Sequence, residues 1–346
     1  MKQRINSNKS EGKVEKENTD IKTNIDSDKP INAENIANKK IIKNRSEILF
    51  LYDITDNNPN GDPLEENQPR IDRDTGINIV TDVRHKRTIR DYLHDYRNQE
   101  IFIREVRKNN GKLKTKEDRL TDLKINSKHD LLVTCIDMRA FGCTIAIEGK
   151  SINFTGPVQF KFGRSLHKVS NKYFKGTTVM PSNEGFQTGT FTADYKLPYS
   201  LIKFYGVINE NVAKYTMLSE EDVELLLDGI WNGTKNLITR SKVGQIPRLL
   251  LKINYKEKNY HIGDLDNYNM TKISSNLPDE EIRDISQIKL DITGLIDKLS
   301  KHKNKIENIE FKIDDQVKFI YNKEEKTFED CLAKIQVPTK TMNLMD

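Results

Sequence analysis

The chain is poor in the features that mark secreted, membrane-bound or metal-built proteins. Its 346 residues include three cysteines, Cys135, Cys143 and Cys331, an odd set with no metal-like spacing, which suits buried, reduced thiols in a cytosol. No apolar run approaches the roughly 18 residues of a membrane span, and no apolar core follows the basic start as a secretory leader requires. The expected location is therefore cytoplasmic, with no membrane partner. No glycine-rich loop ends in the Gly-Lys-Ser/Thr of a Walker sequence. The histidines, His85, His94, His129, His167, His261 and His302, are scattered, and none forms an i,i+4 pair with a nearby Glu base. Neither a metal nor a cofactor is expected. No aromatic residue precedes Phe50, so residues 1–44, polar and charged, bury too little to offset the cost of ordering and read as a disordered tail.

Charge, by contrast, is abundant. Charged residues make up 32% of the chain, with a net charge of +5 and a pI near 8.8. That balance permits a polyanionic partner without requiring one, so the placement of the charge matters more than its sum.

Ser46–Ile54 (SEILFLYDI) is a compact apolar run that reads as a buried strand, stopped by the turn-forming residues Asp56–Pro63. Thr81 or Asp82 can cap a helix on which Ile89, Tyr92, Leu93 and Tyr96 share one side. Lys86, Arg87, Arg90 and Arg97 fall opposite, with Arg84 at the edge, so this helix is expected to turn a cationic face outward. Glu100–Lys128 is a charged insertion. Strands are expected at Asp130–Ile136, Cys143–Glu148, Thr155–Phe162, Thr190–Tyr195 and Leu201–Ile208, then a capped helix over Ser219–Leu237 and a strand over Pro247–Tyr255. A Lys-rich helix near Gly294–Lys305 and a strand around Ile309–Ile313 follow. Without its insertions the order is strand, helix, strands, helix, strand. This is an α+β chain on the ferredoxin-like or RRM-like plan, a sheet with two helices on one side.

Two chemistries compete within NPNGDPLEENQPRIDRDTGINIVTDVRHKRTIRDY (Asn58–Tyr92). Asp72, Asp74 and Gly76 resemble the start of a calcium loop, but the twelfth position is Val83 where a bidentate Glu is needed. Asp53, Asp62, Asp72 or Asp74 could still hold magnesium in a nuclease, although carboxylates in polar loops are more commonly solvated or bonded to nearby amides. The cations are more informative. Arg84, Lys86, Arg87 and Arg90 can follow a phosphate chain, and on charge alone this weighs equally with a solvated helix exterior. Lys161, Arg164, His167, Lys168, Lys172 and Lys175 interleave with Tyr173, Phe174 and Met180 in an excursion expected to be a hairpin or loop. Exposed aromatics among cations stack or wedge against unpaired bases, and core packing of Phe174 or Met180 is the plainer alternative. Arg240, Lys242 and Arg248 form a third cluster.

The run from Asn58, with DMRAFG (Asp137–Gly142), FTGPVQFKFGRS (Phe154–Ser165) and TRSKVGQIPRLLLKI (Thr239–Ile253), closely resembles the backbone subunit of CRISPR Cascade complexes. This is the seventh CRISPR-associated family of the RAMP superfamily, with the flavour of subtype I-B. The resemblance implies a hand-shaped fold: an RRM-like palm spanning 45–346, fingers including about 97–129 and a thumb hairpin at about 166–190. It also implies a non-catalytic protein that binds the crRNA guide and polymerises with copies of itself along it. Further implied partners are the target DNA strand, a cap subunit, a large subunit, a crRNA-processing endonuclease and a recruited helicase-nuclease. The cations read above fit this: Arg84, Lys86, Arg87 and Arg90 are assigned to the RNA backbone, and Lys161, Arg164, His167, Lys172, Arg240 and Lys242 are expected to bind RNA as well. Phe174 and Met180 become the wedge where each thumb kinks the RNA. The alternative is a metal-dependent endoribonuclease of the same fold, since related type III subunits cut target RNA with a loop aspartate.

Overall fold

The computed structural model describes residues 40–147, 150–177 and 191–344. At its centre lies β1 (Ser46–Asn57), whose alternating side chains are buried on both faces. A small ladder of β2 (Gly61–Asp62) and β3 (Gln68–Pro69) follows, and β4 (Ile77–Val80) leads into α1 (Asp82–Arg97). Thr81 caps α1 by accepting from the Arg84 amide at 3.2 Å.

Three short helices come next, α2 (Lys116–Asp122), α3 (Lys128–Thr134) and α4 (Ile136–Phe141). Here the expected strand Asp130–Ile136 is corrected to a helix. Ser127 and Asp130 form a reciprocal capping box, which fixes a helical start on a run whose period alone was ambiguous. The hairpin β5 (Gly142–Ile147) and β6 (Lys150–Thr155) follows, then β7 (Val158–Phe160), β8 (Gly163–Lys168) and β9 (Lys172–Thr177). The expected strand Thr155–Phe162 is thus broken at Gly156–Pro157. A Cβ on Gly142, which has φ +72°, would stand 2.3 Å from the Gly156 nitrogen, so two of the sequence motifs meet where only glycine fits.

The two strands expected within 190–208 are one, β10 (Phe191–Ile208). Its register with β1 is kept through Tyr199–Thr55 and Leu197–Asn57, with the pair between them unmade. There Pro198 lacks an amide donor and Asp56 has φ +47°. After α5 (Glu210–Thr216) comes α6 (Glu220–Lys235), capped by Ser219 as expected, and then β11 (Ile246–Tyr255). The C-terminal part adds β12 (Lys272–Ser274), β13 (Lys289–Asp291), α7 (Thr293–Lys301), β14 (Ile306–Ile313), β15 (Phe319–Tyr321), β16 (Glu324–Lys326), α8 (Phe328–Ala333) and β17 (Thr339–Thr341).

The main sheet runs β17-β14-β11-β1-β10-β8-β4. Its middle, β11-β1-β10-β8, is the strand order of the ferredoxin-like plan. On one face, Ile48, Phe50, Tyr52 and Ile54 pack under α1 and α6. The helices touch closely, since a Cβ on Gly229 would lie 2.9 Å from Ile89 Cγ2. On the other face, Leu49, Leu51, Leu201, Leu249 and Leu251 are covered by Leu290, Leu295, Leu299, Phe319 and Phe328 of the C-terminal part. Glu47 fastens this cover: its buried carboxylate accepts from the Ile262 and Gly263 amides at 2.9 Å each, and from the hydroxyls of Tyr205 and Tyr255. The packed body already includes Ile42, whose amide donates to Leu218 O at 3.2 Å, two residues before the expected boundary.

Candidate nucleic-acid interface

The expectation of an outward cationic face on α1 is corrected by where the charges go. Arg90 is nearly enclosed, donating from Nε to Asp137 Oδ2 at 3.0 Å and lying 4.9 Å from the centre of the Phe141 ring. Asp137 in turn accepts from the amides of Phe102 and Ile103 at 2.9 and 3.1 Å. Lys86 bonds Asp82 at 3.0 Å and Gln159 at 3.2 Å, and Arg97 bonds Asp228 at 2.6 Å. Of this row Arg87 is the exposed member, with Asp91 at a loose 3.5 Å. Carboxylates distant in sequence neutralise Arg90 and Arg97, and Asp82, one turn back on the same helix, neutralises Lys86. DMRAFG is structural for the same reason: Arg139 makes a two-pronged, buried pair with Asp222 at 2.8 Å for each contact.

The hairpin cations divide differently. His167 is corrected from a surface ligand to a buried ring, stacked on Tyr199 at 5.6 Å. Its Nδ1 lies 2.9 Å from Lys168 O, and its Nε2 accepts from the Leu201 amide at 3.3 Å. Burial lowers its pKa, which keeps the ring neutral. Lys161 and Arg164 are exposed, with Asp266 at 3.0 Å and Asp72 at 3.5 Å respectively. Lys172 and Phe174 are exposed on β9, which removes the core-packing alternative for Phe174. Met180 lies outside the described residues. Arg240 is exposed and contacts Asp194, whereas Arg248 is a buried strut donating to Asp53 at 2.9 Å and Asp314 at 2.5 Å.

Of the candidate carboxylates, Asp53, Asp62 and Asp72 are committed as well, and Asp74 is exposed. Asp53 is buried, accepts from Arg248 and from Tyr199 at 3.0 Å, and has its pKa pushed up to about 6 by burial despite those donors. Asp62 holds Arg70 at 2.8 Å, and Asp72 accepts from the Asp74 amide at 3.1 Å. Among the described residues, no three His, Cys, Asp or Glu side chains converge as a metal site.

Two expected cations come together in a way the others do not. Arg84 sits half-buried at the start of α1, and Lys242 half-buried on the turn between α6 and β11; among the described residues neither meets a carboxylate within ion-pair distance. Lys242 Nζ donates to Asn58 O at 2.8 Å, and Arg84 Nη2 donates to Thr88 Oγ1 at 3.0 Å. Burial and the neighbouring Arg84 bring the Lys242 ammonium down to about 8; burial and Arg87 lower Arg84 as well. Around them stand buried polar atoms with no partner: Asn57 Oδ1, Asn58 Oδ1, Arg84 Nε, His85 Nε2 and Gln245 Nε2. Two partly desolvated positive charges of this kind are what an anion can compensate. The sequence marked Arg84 and Lys242 by charge. Nothing local marked Asn57, His85 or Gln245, whose importance arises only from the folded arrangement.

The family model for CRISPR-associated protein Cas7 matches residues 44–293. A curated CRISPR-associated protein Cas7 from Haloferax volcanii is 35% identical over 298 residues, covering 77% of this chain and 86% of the relative. Among solved structures, a chain of a CRISPR RNA-guided surveillance complex in a pre-nicking state superimposes with a TM-score of 0.50 at 8% identity, covering 84% of this chain and 99% of that one. At that identity the likeness is one of fold, and it agrees with the RAMP hand expected from the motifs. No helix among the described residues is long and apolar enough to cross a membrane. Motif order, fold and family model converge, and this chain belongs to the Cas7 family of CRISPR-associated proteins.

Proposed function

We propose that this protein is a non-catalytic backbone subunit of a type I-B Cascade complex, binding the crRNA guide by its phosphates and supporting guide–target DNA pairing. The observation that carries this reading is the Arg84–Lys242 pair, two half-buried cations that among the described residues have no carboxylate in ion-pair range. A phosphate diester supplies the missing charge and acceptors, and it does so whatever the base, which suits a protein that leaves sequence reading to pairing. Around this site, 97–129 serves as fingers and 166–190 as a thumb on a single palm. Arg87, Lys161, Arg164, Lys172 and Arg240 add weaker contacts along the guide, and Phe174 and Met180 act at the kink. Copies of itself, a cap subunit, a large subunit, a processing endonuclease and a recruited helicase-nuclease complete the assembly in the cytoplasm.

The test is guide-RNA binding across a salt series for the parent protein and an Arg84→Gln/Lys242→Gln variant. Two lost phosphate contacts should flatten the log–log salt slope by about 1.4 and weaken binding roughly 100-fold. An unchanged slope would remove the pair from the interface. Regular magnesium-dependent fragments of a complementary RNA would instead establish the nuclease alternative.

A further inference from the structure

Behind Arg84 lies a small cavity of about 10 Å³, walled by Tyr52, Arg84, His85, Thr88, Thr234 and Gln245. Its two threonine hydroxyls are already committed: Thr234 donates to Ile230 O at 2.8 Å, and Thr88 donates to Arg84 O at 3.2 Å while accepting from Arg84 Nη2. Three polar atoms of its walls are buried and unpartnered, namely Arg84 Nε, Gln245 Nε2 and His85 Nε2. His85 stacks between Phe204 at 4.4 Å and Phe50 at 5.6 Å, and burial holds its pKa down to about 3, so the imidazole is neutral.

We propose that this cavity binds one ordered water, which accepts from Arg84 Nε and Gln245 Nε2 and donates to His85 Nε2, making His85 and Gln245 positioning residues for the anion site. The void is close to the roughly 10–15 Å³ that a single water needs, and three hydrogen bonds are what a buried water typically makes. Donors and acceptor balance: a cationic N–H and an amide N–H meet the oxygen, and one water hydrogen meets a neutral ring nitrogen. The water fixes Nε while Thr88 fixes Nη2, so the guanidinium is oriented with Nη1 left for a ligand. Because Gln245 lies between the Lys242 turn and β11, the same water ties Arg84 to the segment that carries Lys242. Two cations that repel each other are thereby held in register before any anion arrives.

The positioning role rests on the RNA-binding reading, but the water does not. A crystal structure of the full chain at about 1.2 Å should show one water within hydrogen-bond distance of all three atoms, and isotope-labelled His85 should show Nε2 as an unprotonated acceptor. A dry cavity, or direct bonding among the three side chains, overturns the proposal whether or not RNA binds. For positioning, Gln245→Met should weaken guide-RNA binding about fivefold with the fold retained. Gln245→Glu, placing a carboxylate beside Arg84, should also flatten the salt slope by about 0.7, the share of one phosphate contact. If both variants bind RNA as the parent does while the parent binds normally, the water is structural only and the positioning claim fails.

Discussion

Arg84 and Arg90 stand on one helix, less than two turns apart, yet they carry opposite roles. Arg90 is closed: Asp137 satisfies it, Phe141 covers it, and its charge holds the 97–141 segment to α1. Arg84 is open, with its guanidinium desolvated, its Nε unpartnered and a second cation beside it. The difference teaches that a row of cations read from a helical wheel contains two kinds of residue. What separates them is whether the fold brings up a carboxylate.

The sharpest way to break this contrast is to delete the closed residue. Arg90→Ala leaves Asp137 buried without its cation, and a loss of about 3 kcal/mol in urea unfolding is expected, with RNA affinity of the folded fraction nearly unchanged. A stable variant that fails to bind RNA would reverse the assignment. Titration tests the open site next. Lys242 is depressed to about 8, so it is charged at pH 7 and largely neutral at pH 9. A bound phosphate favours the protonated form, so affinity should fall roughly tenfold between those pH values and binding near pH 8 should take up a proton. In a Lys242→Arg variant that dependence should vanish. The smallest effect belongs to the exposed member of the row: Arg87→Ala should alter affinity by about twofold and stability by under about 0.5 kcal/mol, as for most solvated charges.

Much of the frame was legible in the chain itself. α1 and α6 announce themselves through Thr81 and Ser219 as caps and through apolar residues at helical spacing, and β1 and β11 through dense apolar runs. The misreadings have local causes. Leu131 to Ile136 carries no decisive period, and the Ser127–Asp130 capping box outweighed the strand-like composition. The site was half legible. Charge picked out Arg84 and Lys242, but it equally picked out Arg90 and Arg248, whose neutralising partners Asp137 and Asp53 lie 47 and 195 residues away, and Lys86, which Asp82 pairs on the same helix. His167 was misread because burial, which turns a histidine from a ligand into a packing ring, is a property of the fold and not of its neighbours in sequence.

The cover over the second sheet face has a consequence of its own. In an open RRM-like sheet, aromatic side chains on that face stack bases and so acquire a taste for particular nucleotides. Here that platform is sealed by Leu290, Leu295 and Phe319, and fastened through Glu47. With that platform closed, no base can lie flat on the second sheet face, and the exposed rings of Tyr173 and Phe174 stand on β9 instead. On that face the chain cannot tell one nucleotide from another, which suits a subunit that leaves the text to pairing between strands.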